Sequence, residues 1–363
     1  MPIEVESPEE FGYNNILYNL SESSVADINF NQIKLPDTFP LAYTDHRGKP
    51  ALRQLIATQM QHHNMDHILL TPGAAPALFI IYSTLLQPTD HIVVIRPNYA
   101  TNIAVPEAIG SAISFIDLSP KHNWLPTLED ICKAVQPNTK IISITTPHNP
   151  TGMVWPKDLI QGCIDLAASK NIYLLADETY RDTGCITHTP MLASMHANCI
   201  SVSSVSKAYG LPGIRMGWLL TQNVNLYEKF LAAKEMIFIT NSILDEEACF
   251  SFLLEKEKWL KKITHFAQQN LKLIHDWISY EKRVAWIPPQ AGVVCFPWIK
   301  ESISFDEDIF YHKLLHAYKT MVGSGHWFDM PPRYMRIGYG WTNADTLQQG
   351  LENISACISD SLV

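Results

Sequence analysis

The stretch KIISITTPHNPTG, residues 140–152, combines the two features on which the fold prediction depends. It begins with a run, Lys140–Thr146, that is largely apolar and does not alternate between apolar and polar residues. Strands of this kind are buried on both faces, as in a mostly parallel sheet covered by helices. A polar turn follows directly. The carboxyl end of this strand is therefore a candidate ligand site.

Six other runs of the same kind lie between residues 68 and 221, and most are rich in isoleucine, valine and leucine. The segments between them carry apolar residues at helical spacing, as in Leu159–Lys170 (LIQGCIDLAASK). The pattern predicts an α/β/α sandwich around a seven-stranded, mostly parallel sheet. The other six strands are expected at Ile68–Thr71, His91–Ile95, Ala112–Leu118, Ile172–Ala176, Ile200–Ser203 and Met216–Thr221.

The sequence pattern changes after about Leu226. Residues 226–282 predict one or two long helices with charged, solvated faces. The mixture that follows predicts a second, smaller α+β unit. Its expected elements are strands within 284–298, a helix at Phe305–Thr320, a strand at Tyr334–Gly338 and a last helix from Asn343.

The chain is expected to divide into three parts. Residues 1–40 carry no strong periodicity and are predicted to form an N-terminal arm that packs with the small domain. Residues 41–260 are predicted to form the large ligand-binding domain, and residues 261–363 the small C-terminal α+β domain. Neither a repeat nor a flexible linker separates these parts, which favours rigid docking.

The composition disfavours several classes of protein. The 363 residues include 36 acidic and 27 basic ones, giving a formal net charge of −9. This charge disfavours a non-specific nucleic-acid or anionic-membrane partner. The longest strongly apolar run, residues 77–86, is about half of the roughly 20 residues that a membrane-spanning helix needs. The acidic N-terminus, MPIEVESPEEFGYN, lacks the apolar region of a signal peptide.

The cysteines and histidines predict neither a disulfide framework nor a metal site. Fourteen histidines are scattered, and the adjacent His62 and His63 lack the spacing of a metal motif. The cysteines are odd in number and contain no CxxC pair, which is typical of reduced thiols in a cytoplasmic protein. They are Cys132, Cys163, Cys185, Cys199, Cys249, Cys295 and Cys357.

The first motif that can carry chemistry is TPGAAPALF, residues 71–79, at a strand-to-helix turn. Gly73 allows a tight turn, and the amides of Ala74 and Ala75 then open a helix. Free amides at a helix N-terminus bind anions such as phosphate. An ordinary strand–turn–helix junction is the structural alternative.

The second and third motifs also follow apolar strands. The turn in TTPHNPTG, residues 145–152, displays the Asn149 amide, which can donate to a phenolic oxygen and to a carboxylate together. In ADETY, residues 176–180, a buried Asp177 carboxylate needs a cation, and a protonated pyridine nitrogen would supply one. Tyr180 could hydrogen-bond the hydroxyl of the same ring. A helix-capping aspartate is the alternative for Asp177.

The fourth motif is SSVSKAYGLPGIRMGW, residues 203–218. Lys207 follows an apolar strand, where its amine can form an imine with an aldehyde and later act as a general base. Arg215, eight residues further on, can bind phosphate through two hydrogen bonds, with the Ser204 hydroxyl beside it. A lone surface lysine is the alternative, and the flanking serines, the LPG turn and the arginine disfavour it.

Together these motifs, in the order GAA, HNPTG, ADETY, SVSK and YMRIGYG, are similar to those of the class I/II aminotransferases. These are fold-type I enzymes that depend on pyridoxal 5'-phosphate (PLP) and are related to aspartate and aromatic aminotransferases. The resemblance runs from about Tyr43 to Ile337, which is most of the chain. It implies that residues 41–260 are the PLP-binding domain.

The resemblance also implies roles for individual residues. Lys207 resembles the lysine that forms the Schiff base with PLP and moves the proton between the substrate α-carbon and the cofactor. Asp177 resembles the partner of the pyridine nitrogen, and Tyr180 and Asn149 resemble donors to the ring hydroxyl oxygen. Asn149 also falls in the substrate site.

Further residues match the cofactor and substrate sites of the family. Tyr99, in RPNYATN, resembles the aromatic residue that stacks on the pyridine ring. Arg336, in MRIGYG, resembles the arginine that binds the substrate α-carboxylate. Tyr43, in YTDHRG, resembles the tyrosine that reaches the phosphate of a neighbouring subunit, which implies a homodimer with shared active sites. The phosphate site matches Gly73, Ala74, Ala75, Ser204 and Arg215.

The sequence departs from the family pattern at two places. Many members carry a hydroxyl or amide side chain at the position of Ala75, so phosphate binding there would depend on the backbone. The N-terminal motif that lines the substrate pocket usually reads like GEP, but here it is Ser21-Glu22-Ser23. Glu22 could select a cationic side chain, or it could be a solvated or helix-capping residue.

The implied activity is transfer of an amino group from an amino acid to a 2-oxo acid, with ping-pong kinetics. A PLP-dependent C–S β-lyase or a related amino-acid-modifying enzyme would use nearly the same residues. A PLP-sensing regulator would need a DNA-binding module upstream, and the first 40 residues are too short and acidic for one. A nicotinamide-binding enzyme is disfavoured because no GxGxxG follows the first strand.

Overall fold

The computed structural model describes residues 6–62, 64–184 and 190–363. Cys185 and His63 therefore lie outside the described residues, as does the start of the predicted N-terminal arm. The strands of the described ranges, β1 to β14 in chain order, are Tyr18–Asn19, Ile68–Thr71, His91–Arg96, Ala112–Asp117, Thr139–Thr145, Tyr173–Asp177, Cys199–Ser204, Gly217–Thr221, Val284–Ala285, Val294–Cys295, Trp298–Ile299, Thr320–Met321, Gly323–Ser324 and Met335–Gly338.

The helices alternate with these strands in the first two thirds of the chain. In chain order, α1 to α11 of the described ranges are Pro8–Phe11, Pro50–Gln59, Ala74–Leu85, Thr101–Ile109, Leu128–Ala134, Lys157–Lys170, Val224–Ile237, Ile243–Leu254, Lys256–Tyr280, Glu307–His316 and Ala344–Asp360.

The main sheet has seven strands in the order β2-β8-β7-β6-β5-β3-β4. All seven predicted strands are confirmed, with ends that differ from the prediction by no more than one residue. Four neighbouring pairs are parallel, and β8 is antiparallel to both β2 and β7. Six strands therefore run in one direction, and their carboxyl ends lie at one edge of the sheet.

Helices cover both faces of this sheet. Successive residues of β5 point to opposite faces, so Ile141 belongs to one buried cluster and Ile142 to another. Burying an aliphatic side chain of this size contributes about 1.5–3 kcal/mol. Strands that are apolar on both faces are thereby stabilised only as the middle layer of a sandwich, which confirms the predicted α/β/α architecture.

A second core lies among α9, α10, α11 and the short strands β10, β13 and β14. It contains Ile274, Phe310, Ile337 and Leu351. The N-terminal segment joins it, because β1 pairs in parallel with β12 and Leu20 is fully buried in the cluster. An N-terminal stretch without its own periodicity is thus ordered by contacts with residues about 300 positions away.

The prediction of one or two long helices over residues 226–282 was wrong, since three helices occupy this region. The backbone leaves the helical conformation at Phe238, with φ −154° and ψ 107°. The Ser242 side chain then caps α8 by accepting a hydrogen bond from the amide of Asp245 at 3.3 Å. A second break at Glu255 separates α8 from α9.

Candidate active site

The predicted site residues gather at the edge where six strands of the main sheet end. Gly73 follows β2, Tyr99 follows β3 and Asn149 follows β5. Asp177 is the last residue of β6, and Lys207 lies in the turn after β7. Open sheets of this type bind ligands at this edge, because the loops there leave a crevice between diverging connections.

The first and fourth motifs meet although they are about 140 residues apart. Gly73 precedes α3 with φ at +105°, a conformation that side-chain-bearing residues rarely adopt. A Cβ atom at Gly73 would lie only 2.7 Å from Nη2 of Arg215. The guanidinium of Arg215 therefore lies against the N-terminus of α3, where Ala74 and Ala75 present free amides. This combination of helix N-terminus and guanidinium suits a phosphate.

Ser204, the other predicted phosphate contact, ends β7 at the same edge. Its side chain is buried, and its Oγ accepts a hydrogen bond from the amide of Ser206 at 3.4 Å. Because a hydroxyl has one proton to donate, accepting this bond leaves the Ser204 proton available for an anion.

Asp177 is buried, with 7% of its surface exposed. Its Oδ1 accepts hydrogen bonds from the amide and the hydroxyl of Thr179, at 3.0 and 2.6 Å. Within the described part of the chain, no donor reaches Oδ2. Burial raises the pKa of the Asp177 carboxyl, and the Thr179 hydrogen bonds act against this rise. A buried carboxylate with one unoccupied oxygen fits a protonated ring nitrogen.

Lys207 presents an amine without a hydrogen-bond partner among residues 6–62, 64–184 and 190–363. Burial lowers the pKa of this amine, and the positive charge of Arg336 lowers it further. Glu22 and Glu9 raise the pKa through their negative charges. Since burial is the largest effect, a larger share of the amine is neutral at neutral pH than for a solvated lysine. A neutral amine is the form that attacks an aldehyde.

Arg336 lies on β14 and is 8% exposed. Its Nη1 donates to Oδ1 of Asn149 at 3.3 Å, and its Nη2 donates to the carbonyl of Ser21 at 2.9 Å. The guanidinium also lies over the ring of Phe328, 4.9 Å from the centroid. The structure thus brings together Arg336 and Asn149, which are 187 positions apart, and holds Arg336 against the N-terminal segment.

Tyr180 lies beside this pair, but its hydroxyl donates to the carbonyl of Ser23 at 2.6 Å. Burial raises the pKa of Tyr180 to about 12, while the charge of Arg336 acts to lower it. The hydroxyl is therefore protonated at neutral pH. Donation to a ligand ring hydroxyl would require the proton to turn away from Ser23, so this role of Tyr180 stays a prediction.

Tyr99 is 40% exposed and is positioned by a residue that sequence reasoning missed. The buried Asn98 side chain accepts hydrogen bonds from the amide of Tyr99 and from the side chains of Asn102 and Thr145. Asn98 thus fixes the loop after β3 to the end of β5. Its position next to Tyr99 in RPNYATN was the available signal, because a buried amide must satisfy its hydrogen bonds.

His148 links the same loop to the HNPTG turn and was also missed. Burial lowers the pKa of His148 to about 4, so the imidazole is neutral. One ring nitrogen lies 2.8 Å from the hydroxyl of Thr151, and the other lies 2.9 Å from the carbonyl of Pro97. A neutral imidazole can donate to the carbonyl and accept from the hydroxyl, so it connects the turns that carry Tyr99 and Asn149.

Two predicted residues differ from the rest in their surroundings. Tyr43 is 81% exposed and lies on the surface of the chain. Glu22 is half-buried, caps no helix, and accepts hydrogen bonds through Oε1 from the hydroxyl of Tyr13 at 2.9 Å and from Asn19 at 3.5 Å. The described ranges contain no group of three or more histidine, cysteine or acidic residues able to hold a metal ion.

Comparisons with known proteins identify relatives of this chain. The family model "Aminotransferase class I and II" matches residues 36–354. An aspartate aminotransferase of Musicola paradisiaca is 30% identical, with 88% of this chain and 82% of the relative covered. An arginine–pyruvate transaminase of Pseudomonas aeruginosa is 22% identical over 88% of this chain and 83% of the relative. A PLP-dependent aminotransferase from Streptococcus suis has a similar structure, with a TM-score of 0.89, 25% identity, and 96% and 95% of the two chains covered.

Proposed function

We propose the residue roles through which this chain, which belongs to the aminotransferase class I and II family, transfers an amino group from an amino acid to a 2-oxo acid. The enzyme is a PLP-dependent aminotransferase of fold type I. The proposal concerns which of its residues hold the cofactor, move the proton and bind the substrate. The observation that supports it best is the convergence of Lys207, Asp177, Arg215 and Arg336 at one edge of the main sheet.

Bound PLP supplies an aldehyde carbon for covalent attachment of amines and a ring that accepts electrons from the substrate α-carbon. Lys207 is the proposed attachment point. Asp177 would hold the ring nitrogen in its cationic form through Oδ2, because Thr179 occupies Oδ1. Asn149 and Tyr180 would donate to the ring oxygen, and Tyr99 would pack on the ring. The proposed phosphate contacts are Gly73, Ala74, Ala75, Ser204 and Arg215.

Lys207 is also the proposed proton carrier. With PLP bound, the Lys207 amine, once displaced by the substrate amine, would take up the α-proton and deliver it to the cofactor carbon. This step requires a neutral amine, and the lowered pKa of Lys207 supports it. Hydrolysis by water would then release a 2-oxo acid, and a second 2-oxo acid would accept the amino group by the reverse path.

Arg336 is the proposed ligand of the substrate α-carboxylate. Its guanidinium is buried and already bonded to Asn149, so its orientation is fixed before the substrate binds. A carboxylate would replace the weaker neutral acceptor at Ser21 with a charge-assisted bond. Asn149 can keep its bond to Arg336 through Oδ1 and donate through its amide nitrogen.

A half-reaction screen tests this function. Single amino acids are added in turn to the purified holoenzyme, and loss of its visible absorption band is followed together with release of the matching 2-oxo acid. We expect at least one amino acid to abolish the band in stoichiometric amount, and a 2-oxo acid to restore it. Release of pyruvate and ammonia or a thiol without an acceptor would indicate a β-lyase instead.

We also propose a homodimer in which Tyr43 reaches the phosphate site of the second copy. Support comes from exposed apolar side chains along the segment that carries Tyr43 and along the α7–α8 region. His46 lies 2.6 Å from Glu235 of α7, so the two regions adjoin, and adjoining exposed apolar side chains are typical of a protein–protein contact. The exposed apolar residues are Leu41, Tyr43, Met236, Ile237, Ile239 and Leu244.

Mixed subunits test this sharing of sites. Lys207→Ala and Tyr43→Ala chains are each expected to be impaired alone, the second through weaker PLP retention of about 10- to 100-fold. In a mixed dimer, one site combines an intact Lys207 with an intact Tyr43 from the other copy. Unfolding and refolding the two variants together should therefore restore activity to about a quarter of wild type. A mixture no more active than its components, or a monomer in sedimentation, would contradict the proposal.

The division at residues 40 and 260 and a cytoplasmic location are further parts of the proposal. The two buried clusters on the faces of the main sheet are separate from a third among α9, α10 and α11, which supports two domains. The cysteines of the described ranges are free thiols, and most are buried, which supports a reducing compartment. No helix in these ranges is long and apolar enough to cross a membrane.

A further inference from the structure

The N-terminal segment 20–26 forms one wall of the active site. The carbonyl of Ser21 accepts from Arg336, and the carbonyl of Ser23 accepts from Tyr180. The amide of Val25 donates to the carbonyl of Lys207 at 3.1 Å. Glu22 lies between these anchors in the sequence, and its negative charge acts to raise the pKa of both Lys207 and Tyr180.

The Glu22 carboxylate shares a single hydroxyl with a second carboxylate. Tyr13 lies within hydrogen-bond distance of both, 2.9 Å from Oε1 of Glu22 and 3.3 Å from Oε1 of Glu9. One hydroxyl has one proton, so it satisfies only one of the two acceptors at a time. Neither carboxylate forms an ion pair with a lysine, arginine or histidine in the ranges that the structure describes.

The cations that Lys207 and Arg336 contribute to this part of the site belong to the reaction itself. Glu22 and Glu9 both act on the electrostatic environment of Lys207, whose amine must be neutral for attachment and proton transfer, and Arg336 is directed to Asn149 and Ser21. Two carboxylates close to one another repel, and a cation between them would remove the repulsion. The chain itself supplies no cation that is free for this purpose among the described residues.

An aromatic surface adjoins the two carboxylates. The rings of Tyr13 and Trp341 are stacked, with centroids 6.4 Å apart and an interplanar angle of 30°. The Trp341 indole donates to Asp27 at 2.9 Å, which fixes its orientation. A planar guanidinium packs on aromatic faces and forms two-point hydrogen bonds with carboxylates better than an ammonium does.

We infer that Glu22 and Glu9 select an amino donor with a long cationic side chain, a guanidinium in preference to an ammonium. The inference rests on the proposed function, because Lys207 and Arg336 fix the amine and the α-carboxylate of the same substrate. The family already establishes that an amino acid enters this site. The inference assigns what its side chain contacts, with Tyr13 as the residue that holds the two carboxylates together.

Binding to a variant that cannot complete the reaction tests the side-chain contact apart from turnover. L-arginine is titrated against L-citrulline, which has the same length but no charge, on PLP-loaded Lys207→Ala protein. We expect L-arginine to bind about 10- to 100-fold more tightly, the range for a hydrogen bond to a charged group. Adding Glu22→Gln should reduce the ratio about 10-fold or more, and Glu9→Gln should reduce it by a smaller factor. Equal affinities for the two ligands would overturn the inference.

Glu10→Gln is the matched control. It removes one negative charge from the same short helix as Glu9, and Glu10 is exposed and does not contact Tyr13. The ratio should stay within about twofold of the parent protein, since exposed charges are strongly screened. If Glu10→Gln lowered the affinity ratio as much as Glu22→Gln does, the preference would come from the net negative charge of the region. A specific contact with Glu22 would then be refuted.

Turnover of the wild-type enzyme tests the side-chain preference separately from the residue roles under the proposed function. We expect kcat/KM to fall in the order L-arginine, L-lysine, L-citrulline, L-aspartate. If several neutral amino acids react as fast as L-arginine, the side-chain inference is wrong and the aminotransferase assignment stands. If no amino acid discharges the visible band, the residue roles under the proposed function fail as well. Because the wild-type chain is used, this result does not depend on the folding of any variant.

Discussion

Lys207→Ala should lower the rate of amino transfer by about 10,000-fold or more while leaving the protein folded. Loss of a positioned acid–base group alone can cost up to about 10,000-fold, and loss of the attachment point adds to that. The substitution removes both the covalent attachment point and the group that carries the α-proton. The residues that bind the phosphate of PLP and the carboxylate of the substrate are unchanged, so the variant should still bind PLP and an amino acid. The loss should appear in single-turnover release of the 2-oxo acid.

Two further measurements distinguish the role of Lys207 from a structural one. Hydride reduction of the native holoenzyme should fix a pyridoxyl group on Lys207, which peptide mass spectrometry can locate. A small primary amine added to the Lys207→Ala protein should restore part of the rate, increasingly with pH, because the neutral amine is the active form. Lys170→Ala, at the exposed end of α6, is the control and should be fully active. Near-normal turnover of Lys207→Ala would disprove the assignment.

The main sheet could be predicted because each of its strands is apolar on both faces. That pattern is local, so a run such as Ile172–Ala176 indicates a strand without knowledge of its neighbours. The polar residues that follow these strands then predicted a single ligand site at one edge of the sheet. Their types indicated the chemistry of the ligand, because a buried charged group needs a partner of opposite charge. Gly73 and Arg215 are an example. They lie close together although they are far apart in the sequence, and each could be predicted as a phosphate contact from its own turn.

The contacts of the N-terminal segment could not be predicted in the same way. Tyr180 and Arg336 bond to the carbonyls of Ser23 and Ser21, and a carbonyl oxygen has no sequence signature. The grouping of Glu22 with Tyr13 depends on a turn in a stretch without periodicity. The breaks that make three helices of the region after Leu226 were also missed, since a single capping serine resembles any other polar residue on a helix face.

Asp177 is the other residue whose replacement should have a large effect. Its burial makes an unpaired carboxylate unfavourable, and Thr179 compensates for only one of its two oxygens. The folded chain therefore contains an ionisable group whose charged form is unfavourable, because burial raises its pKa. A cation at Oδ2 would be stabilised by the same carboxylate. Since electrons from the α-carbon flow toward a cationic ring, the charge at Asp177 acts on the chemical step itself.

Asp177→Asn should slow removal of the α-proton about 100- to 5,000-fold, the equivalent of about 3–5 kcal/mol for one partner of a buried ion pair. Asparagine keeps the shape and can still accept from Thr179, but it cannot hold a protonated nitrogen. The kinetic isotope effect at the α-position should rise as proton removal becomes limiting. Thr179→Ala, which retains the charge and loses one hydroxyl contact, should cost about tenfold or less. Reconstitution of Asp177→Asn with a PLP analogue that carries a permanent positive charge on the ring nitrogen should recover most of the rate. A variant that is slow with both cofactors, or fast with both, would show that Asp177 does not act through the ring nitrogen.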